Sequence, residues 1–188
     1  MALRSVALLR IEKEGIDKLS LRALAQDIGV SQTTPYRHFK DKQQLLVDLA
    51  STGFELLGVY QEKAMTGKEG LAIIIEMGLA YLEFAKSNPA YYKLMYGICS
   101  LNYFSHKKLV EKSGLVFTQY IDQLKIAAKS GYLVDKEPKL LAQTLLASLH
   151  GAAAIQVLDL RPVGQYQFEL CHQQFVTQTV QGIAKQPI

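Results

Sequence analysis

Side chains suited to reading DNA follow a predicted tight turn near the N-terminus of this chain. After Gly29 the sequence continues VSQTTPYRHFKDK. The amide of Gln32 can pair with adenine through two hydrogen bonds, and Thr33 and Thr34 offer hydroxyls and methyl groups that suit thymine. Arg37 can take a guanine edge or a phosphate, and its place late in a short helix favours the phosphate. These residue types, in this order, predict contact with duplex DNA.

Three further polar residues extend this surface toward the phosphate backbone. Tyr36 and His38 are rings with polar tips that can donate hydrogen bonds to phosphate oxygens. Lys42 stands at the start of the next predicted helix, where unpaired N–H groups and the helix dipole already favour an anion. Any one of these residues alone would be read as part of a solvated helix face, so the assignment depends on the whole set.

Two short helices joined by a turn are needed to position these side chains. Ser20 can cap the first, because a serine oxygen accepts from backbone donors that a helix start leaves unpaired. The first helix then has one apolar face, formed by Leu21, Leu24, Ala25 and Ile28. Gly29 follows where a left-handed backbone conformation is least costly. This is the order of a helix-turn-helix.

The second helix is predicted from Gln32 to Phe39, with Ser31 as its N-cap. Pro35 lacks an N–H group and is tolerated only in the first turn of a helix, so this helix should be short. Val30, Pro35 and Phe39 can close the contact between the two helices.

The segment SLRALAQDIGVSQTTPYRHFKDKQQLL resembles the DNA-binding signature of the TetR/AcrR family of bacterial one-component regulators. The matching positions are Leu21, Leu24, Ala25, Gly29, Val30, Ser31, Tyr36, His38, Phe39, Lys42, Leu45 and Leu46. The resemblance implies phosphate contacts for Tyr36, His38 and Lys42, and places Arg22 over a base edge or a phosphate. With both capping serines, the predicted DNA-binding set is Ser20, Arg22, Ser31, Gln32, Thr33, Thr34, Tyr36, Arg37, His38 and Lys42.

Helical periodicity continues almost to the C-terminus, which predicts an all-α protein of about nine helices. Beyond the helix-turn-helix, the predicted helices cover residues 41–63, 71–87, 90–100, 107–130, 138–160 and 165–185, after a first helix over 2–14. Asp41 is the predicted N-cap of the 41–63 helix. The resemblance implies an N-terminal helix-turn-helix domain over 1–48 and a ligand-binding and dimerisation domain over 49–188. The pair His150-Gly151 is similar to one AcrR-like branch of the family.

Composition is compatible with this interpretation without deciding it. The chain has 188 residues, of which 49% are hydrophobic and 20% charged, and a net charge of +4. Residues 1–50 carry eight Arg/Lys against six Asp/Glu, so DNA affinity must come from a few well-placed cations. Cys99 and Cys171 stand alone in the sequence, and neither a signal peptide nor a run of about 18 apolar residues is found. These features predict a cytoplasmic protein without a membrane segment.

Aromatic residues cluster in the central part of the chain, where the family places its sensor. The predicted ligand-binding residues are Tyr81, Phe84, Tyr92, Met95, Tyr96, Phe117, Tyr120 and His150. Such a lining suits a mostly apolar molecule with a few polar anchors. Taken singly, each of these residues is read as ordinary core, and His150 as a core histidine with its hydrogen bonds satisfied. As a set, some of them are expected to border a pocket. No spacing predicts a metal site or a cofactor.

We therefore expect a dimeric, ligand-responsive transcriptional regulator, most simply a repressor, that binds an inverted-repeat operator and is released by a small molecule. Small residues between Ala142 and Ala154 favour the last two helices as the dimer surface. Ligand bound near residues 81–96 is expected to tilt the 41–63 helix and so change the spacing of the two recognition helices. Two alternatives remain: a helical ligand-binding or interaction module without operator binding, and an α-helical enzyme. No catalytic motif supports the enzyme.

Overall fold

The structure is a computed structural model that describes residues 2–96, 105–157, 162–163, 166–167 and 171–186. Its helices are α1 (Ala2–Glu14), α2 (Leu21–Asp27), α3 (Lys42–Met65), α4 (Leu71–Ser87), α5 (Pro89–Tyr96), α6 (Lys107–Lys129), α7 (Pro138–Val157) and α8 (His172–Gln181). A short 3-10 helix, Pro35–Arg37, lies between α2 and α3. The predicted all-α class is confirmed, with eight α-helices and one 3-10 helix in the described residues.

The last predicted helix begins later than the sequence pattern indicated. Two-residue strands, β1 (Pro162–Val163) and β2 (Tyr166–Gln167), pair in antiparallel register. Their extended backbone excludes residues 166–167 from a helix, so the prediction of a helix from residue 165 is wrong, and α8 starts at His172. The predicted ends of the 90–100 and 138–160 helices, like Cys99, lie outside the described residues.

The chain divides into two compact units. The first comprises Met1–Phe54 and Asn88–Lys112, and the second comprises Glu55–Ser87 and Ser113–Ile188. The first unit therefore adds α5 and the first residues of α6 to the N-terminal segment. The predicted domain boundary at residue 48 remains a prediction.

The first unit is built around the apolar faces of its helices. Ala7 and Ile11 of α1, together with Leu45 and Leu49 of α3, are almost fully buried. Helix α5 packs against α1 and also approaches α3 closely. A β-carbon added at Gly53 would lie only 2.6 Å from the sulfur of Met95. The absence of a side chain at Gly53 therefore allows α5 to lie against α3.

In the second unit, α4 packs against both α7 and α8. Gly78 lies at this crossing, and a β-carbon there would stand 2.8 Å from Cγ1 of Val176 and 3.4 Å from Cδ2 of Leu149. The buried face of α7 consists of Leu141, Ala142, Leu145, Leu149, Ala152 and Ala153. This crossing is the apolar core of the unit.

Helix α7 is long and apolar enough to cross a membrane by length and composition alone, and 33% of its apolar window is buried. The sequence-based expectation that no segment is long and apolar enough for a membrane helix is therefore wrong for α7. Core helices of soluble proteins satisfy the same criterion. The packing of the buried face of α7 on α4 and α8 accounts for at least part of its apolar character.

Candidate nucleic-acid interface

The turn between α2 and the recognition segment, defined here as residues 31–39, is fixed by local hydrogen bonds. Ser20 Oγ accepts from the backbone N–H of Ala23 at 3.1 Å, so the predicted N-cap of α2 is confirmed. At the other end Gly29 has a φ of +70°. The N–H of Gly29 donates to Gln26 O at 3.1 Å, and that of Val30 to Ala25 O at 2.9 Å. These two bonds form a Schellman motif, in which a left-handed residue satisfies the last helical carbonyls.

The recognition segment itself is shorter and tighter than the predicted α-helix from Gln32 to Phe39. The N–H of Thr34 donates to Ser31 O at 2.9 Å, and that of Arg37 to Thr34 O at 3.1 Å, which are bonds across three residues. Pro35 has no N–H to offer Ser31 O, so an α-helical bond cannot form there. Pro35 therefore shortens the segment, and the regular helix is confined to Pro35–Arg37.

Ser31 fills its predicted role as N-cap of this segment only in part. Its Oγ accepts a long bond from the N–H of Thr33 at 3.4 Å and shares a bond with Thr33 Oγ1 at 2.9 Å. The residue that caps the 3-10 helix is Thr34, whose side chain makes no capping bond. Ser31 and Thr33 thus stiffen the turn before the short helix.

Apolar side chains anchor the segment and leave its polar side chains exposed. Pro35 and Phe39 are buried, whereas Val30 remains 39% exposed and closes the contact less fully than predicted. Tyr36 is 47% exposed. The exposed side chains of the predicted DNA-binding set are Ser20, Arg22, Ser31, Gln32, Thr33, Tyr36, Arg37 and His38, and Thr34 is half-buried. The set thus presents a polar face on an apolar base.

The start of α3 carries the remaining predicted contact. Asp41 Oδ1 accepts from the N–H of Gln44 at 2.8 Å, which confirms Asp41 as the N-cap. Gln44 Oε1 in turn accepts from the N–H of Lys40 at 2.6 Å, a reciprocal arrangement close to a capping box. Lys42 is half-buried and its Nζ donates to Asp17 O at 3.2 Å. An ammonium group has three donors, so Lys42 can hold this bond and still offer one to a phosphate.

The predicted ligand-binding residues fall into both compact units. Tyr92, Met95 and Tyr96 lie on α5 in the first unit, where the rings of Tyr92 and Tyr96 are 5.1 Å apart. The second unit contains Tyr81, Phe84, Phe117, Tyr120 and His150. Tyr81 and His150 meet directly, with 3.1 Å between the hydroxyl and Nδ1. Phe84 packs edge-on against Tyr60 at 5.7 Å.

Two buried polar groups of the second unit have no hydrogen-bond partner among the described residues. They are the hydroxyl of Tyr120 on α6 and Oε1 of Gln61 on α3. Both residues are near the place where the two helices touch, since a β-carbon at Gly58 would lie 3.9 Å from Val116 Cγ2. A buried group without a partner costs about 1–3 kcal/mol, so these two atoms mark a site that a polar molecule could complete.

The predicted ligand-binding set included Tyr120 but not Gln61. A signal was present, because Gln61 follows Phe54 and Leu57 at helical spacing and so occupies a position on the buried stripe of α3. Ser51 lies on the same helix and is also buried, but its hydroxyl donates to Val47 O at 2.7 Å. Gln61 is therefore the unusual one of these two buried polar residues.

Burial controls the titration of three side chains in the second unit. It lowers the pKa of His150 below the ordinary histidine value. Burial also lowers the pKa of His172, an effect that nearby Lys86 reinforces and Glu83 opposes. Full burial raises the pKa of the Tyr120 phenol. At neutral pH these groups are therefore uncharged and can exchange hydrogen bonds with neutral ligand groups.

Within the described ranges, no three His, Cys, Asp or Glu side chains gather in a geometry that could hold a metal ion. Cys171 is exposed and carries a free thiol.

Comparison with known proteins identifies the family. Residues 4–49 match the model described as bacterial regulatory proteins, tetR family, and residues 74–168 match the tetracyclin repressor-like C-terminal domain. The chain belongs to the tetR family. It is accordingly a DNA-binding transcriptional regulator and not an enzyme.

Individual relatives of this tetR-family regulator are distant. An uncharacterized HTH-type transcriptional regulator, YobS of Bacillus subtilis (strain 168), is 29% identical over 82 residues, 44% of this chain and 43% of the relative. That match thus spans less than half of the relative's length. The nucleoid occlusion factor SlmA of Vibrio vulnificus (strain YJ016) is 25% identical over 167 residues, 80% of this chain and 79% of the relative.

A solved structure supports the fold over nearly the whole chain. A protein with unknown function from Rhodococcus sp. RHA1 superposes with a TM-score of 0.82 at 27% sequence identity, covering 98% of this chain and 94% of the other.

Proposed function

We propose that this tetR-family regulator is a cytoplasmic repressor that binds an inverted-repeat operator as a homodimer and is released by a small, mostly apolar molecule. The observation that carries the DNA contact is the arrangement of the recognition segment. Within this segment Pro35 and Phe39 are buried, while Gln32, Tyr36 and Arg37 stay exposed. The contacts proposed are those of the ten-residue DNA-binding set.

The dimer is supported by the outer face of α7. A single helix-turn-helix reads only a few base pairs, so two related by a two-fold axis are needed for a tight operator complex. The exposed side of α7 carries an uncharged stripe, formed by Leu140, Thr144, Ala147 and Gly151. A β-carbon at Gly151 would meet nothing within 4 Å. This stripe could receive the same helix of a second copy.

An uncharged effector is supported by the buried polar groups of the second unit. The phenol of Tyr120 can donate a hydrogen bond, and Oε1 of Gln61 can accept one. Tyr81, Phe84, Phe117 and His150 lie in the same unit and supply aromatic surface. A mostly apolar molecule with a hydroxyl group, which both donates and accepts, would satisfy both orphaned atoms. The α5 residues Tyr92, Met95 and Tyr96 belong to the other unit, so the proposal depends on the second-unit set.

Release would operate through α3, which begins at Lys42 and carries Gln61 near its C-terminal end. An effector that contacts Gln61 would favour one orientation of this helix. To reverse a 1:99 preference for the DNA-binding state, the effector would need about 5.5 kcal/mol of differential affinity.

Selection of the purified protein on random duplex DNA tests the operator proposal. We expect an enriched inverted repeat, bound as a dimer. The logarithm of the binding constant should fall linearly with the logarithm of salt concentration, because phosphate contacts release counterions. Weak binding without enrichment would contradict the operator and favour a ligand-binding module that does not read sequence.

Single variants separate base reading from phosphate contact on the selected site. Gln32→Ala should reduce the preference for its base pair by about 1–3 kcal/mol and leave the salt slope unchanged. Lys42→Ala should weaken all sequences similarly and reduce the salt slope by about one. Lys129→Ala, which removes the same charge from the far end of α6, is the control and should change neither quantity.

A further inference from the structure

A groove of about 770 Å³ opens in the first compact unit, whereas the buried polar groups assigned to the effector belong to the second. Its walls come from α1, the recognition segment, the first turns of α3 and the start of α6. The volume lies within the range of about 300–1,000 Å³ that is typical of small-molecule sites. The groove is therefore large enough to hold a ligand of ordinary metabolite size.

The groove has an apolar base and a cationic rim. Leu3, Ile28, Pro35, Phe39 and Val47 provide the base, and the last three of these side chains are buried. The rim is lined by three cations, Arg4, Lys107 and Lys108, and by the imidazole rings of His38 and His106. Asp48 is the carboxylate among the lining residues. This combination fits a molecule with a hydrocarbon body and a negatively charged head.

The Asp48 carboxylate is already engaged by two cations of the rim. Asp48 Oδ2 accepts from Arg4 Nε at 2.7 Å, and Oδ1 lies 3.4 Å from Lys108 Nζ. The Asp48 side chain is only 16% exposed, whereas those of Arg4 and Lys108 are 48% and 56% exposed. Asp48 thus holds Arg4 and Lys108 in place at the rim, and the lining keeps a net positive charge because Lys107 adds to it.

The start of α6 adds to this positive potential. The first turn of α6 contains two lysines and no acidic residue, although the positive end of a helix dipole favours anions there. His106 precedes this turn, and its Nε2 lies 3.3 Å from Gln43 Nε2. An anionic head group beside Lys107 would offset the repulsion between the two lysines and the positive end of the α6 dipole.

We propose that this groove is a second binding site, which takes a free amphipathic anion with an apolar chain and a carboxylate or phosphate head. The site is distinct from the proposed effector site, since all of its lining residues belong to the first unit. Thr34, Pro35 and His38 line it from the recognition segment. Occupancy therefore acts on the DNA-reading element directly.

Histidine NMR provides a test that does not involve DNA. The chain has four histidines, of which His38 and His106 line the groove and His150 and His172 lie in the other unit. Titrating the intact protein with octanoate or with octyl phosphate should shift the ring signals of His38 and His106 saturably, while those of His150 and His172 stay in place. The relative affinity of the two probes identifies the preferred head group. Octanol, the neutral control of equal chain length, should leave the signals of His38 and His106 unchanged at the same concentration.

A matched pair of variants locates the head group. Lys107→Gln should raise the Kd of the better probe at least fivefold, whereas Lys129→Gln, at the other end of the same helix, should change it less than twofold. Unshifted His150 and His172 signals in each variant show that the fold is intact. Four results would each overturn the proposal: equal shifts of His38 and His106 with octanol, octanoate or octyl phosphate shifts confined to His150 and His172, no saturable binding of either probe, or an unchanged Kd in Lys107→Gln. None of these results depends on operator binding, so the two proposals can fail separately.

Discussion

At the scale of single residues, two tyrosines of the second unit differ in how their hydroxyls are satisfied. The hydroxyl of Tyr81 meets His150 Nδ1 at 3.1 Å. That of Tyr120 is fully buried without a partner among the described residues. The cost of burying a polar group falls on the folded state unless a hydrogen bond offsets it. The two residues therefore form a natural comparison.

We expect Tyr120→Phe to raise the free energy of unfolding of the ligand-free protein by about 1 kcal/mol, because it removes an unsatisfied hydroxyl. Tyr81→Phe should lower it by about 1 kcal/mol, because it breaks a hydrogen bond. Urea denaturation measures both changes. A loss of stability in Tyr120→Phe comparable to that in Tyr81→Phe would show that the Tyr120 hydroxyl is already satisfied and would remove it from the effector site.

The half-buried histidines of the second unit make stability depend on pH. Both His150 and His172 have a lowered pKa in the folded state, so on acidification the unfolded chain takes up protons first. Stability should therefore fall as the pH drops below about 6.5, and level off once the folded-state pKa values are passed. We expect the variant with His150→Gln and His172→Gln to show a shallower decrease between pH 7 and pH 5.5 in denaturation experiments. An equal slope in both proteins would contradict this assignment.

At the scale of elements, the short recognition segment follows from one residue. Pro35 prevents the carbonyl of Ser31 from making an α-helical bond, and Thr34 takes that carbonyl instead at 2.9 Å. The segment thus becomes two tight turns, held from below by the buried Pro35 and Phe39. The prediction of a short element was correct. The prediction of an α-helix from Gln32 to Phe39 was wrong, because tight turns take the place of that helix.

Close packing between elements can be tested at two helical glycines. Gly78→Ala should destabilise the protein by about 1–3 kcal/mol, because its β-carbon would stand 2.8 Å from Val176 Cγ1, and overpacking of a core is costly. Gly114→Ala is the matched control on α6, where an added β-carbon meets nothing within 4 Å. It should stabilise the protein by about 0.5–1 kcal/mol through helix propensity. Chemical denaturation of both variants checks this, and a stabilising Gly78→Ala would refute the close α4 crossing.

At the scale of the whole molecule, the proposed homodimer depends on the uncharged outer stripe of α7. Its residues lie opposite the face that packs on α4 and α8, so a single chain leaves the stripe in water. Burial of such a surface against its own copy is the usual arrangement of a two-fold symmetric dimer. This would also bring two recognition segments to one DNA duplex.

Ala147→Glu places a charge in the middle of this stripe and should convert the dimer to a monomer, because an unpaired charge is costly to bury. Sedimentation velocity at several protein concentrations measures the change. Thr118→Glu, on the exposed side of α6, introduces the same charge elsewhere and should leave the dimer intact. A dimer that persists in Ala147→Glu would place the interface on another surface.

The sequence alone determined the features that depend on neighbouring residues. The caps at Ser20 and Asp41, the left-handed Gly29 and the short segment after Ser31 could all be predicted, because each arises from hydrogen bonds within a few positions. The apolar faces of the helices could be predicted for the same reason, since periodicity is local. These features, with the Tyr36, His38 and Lys42 pattern, were sufficient to identify the helix-turn-helix family.

Only the tertiary structure decided which distant residues meet. The aromatic residues of α5 fall in the first unit, where Gly53 lets that helix approach α3, whereas Tyr81 and Tyr120 fall in the second. The orphaned oxygen of Gln61 and the ion pairs of Asp48 with Arg4 and Lys108 likewise depend on how separate helices pack. Burial and long-range pairing arise from the packing of whole faces, and no local pattern in the sequence specifies which faces come together.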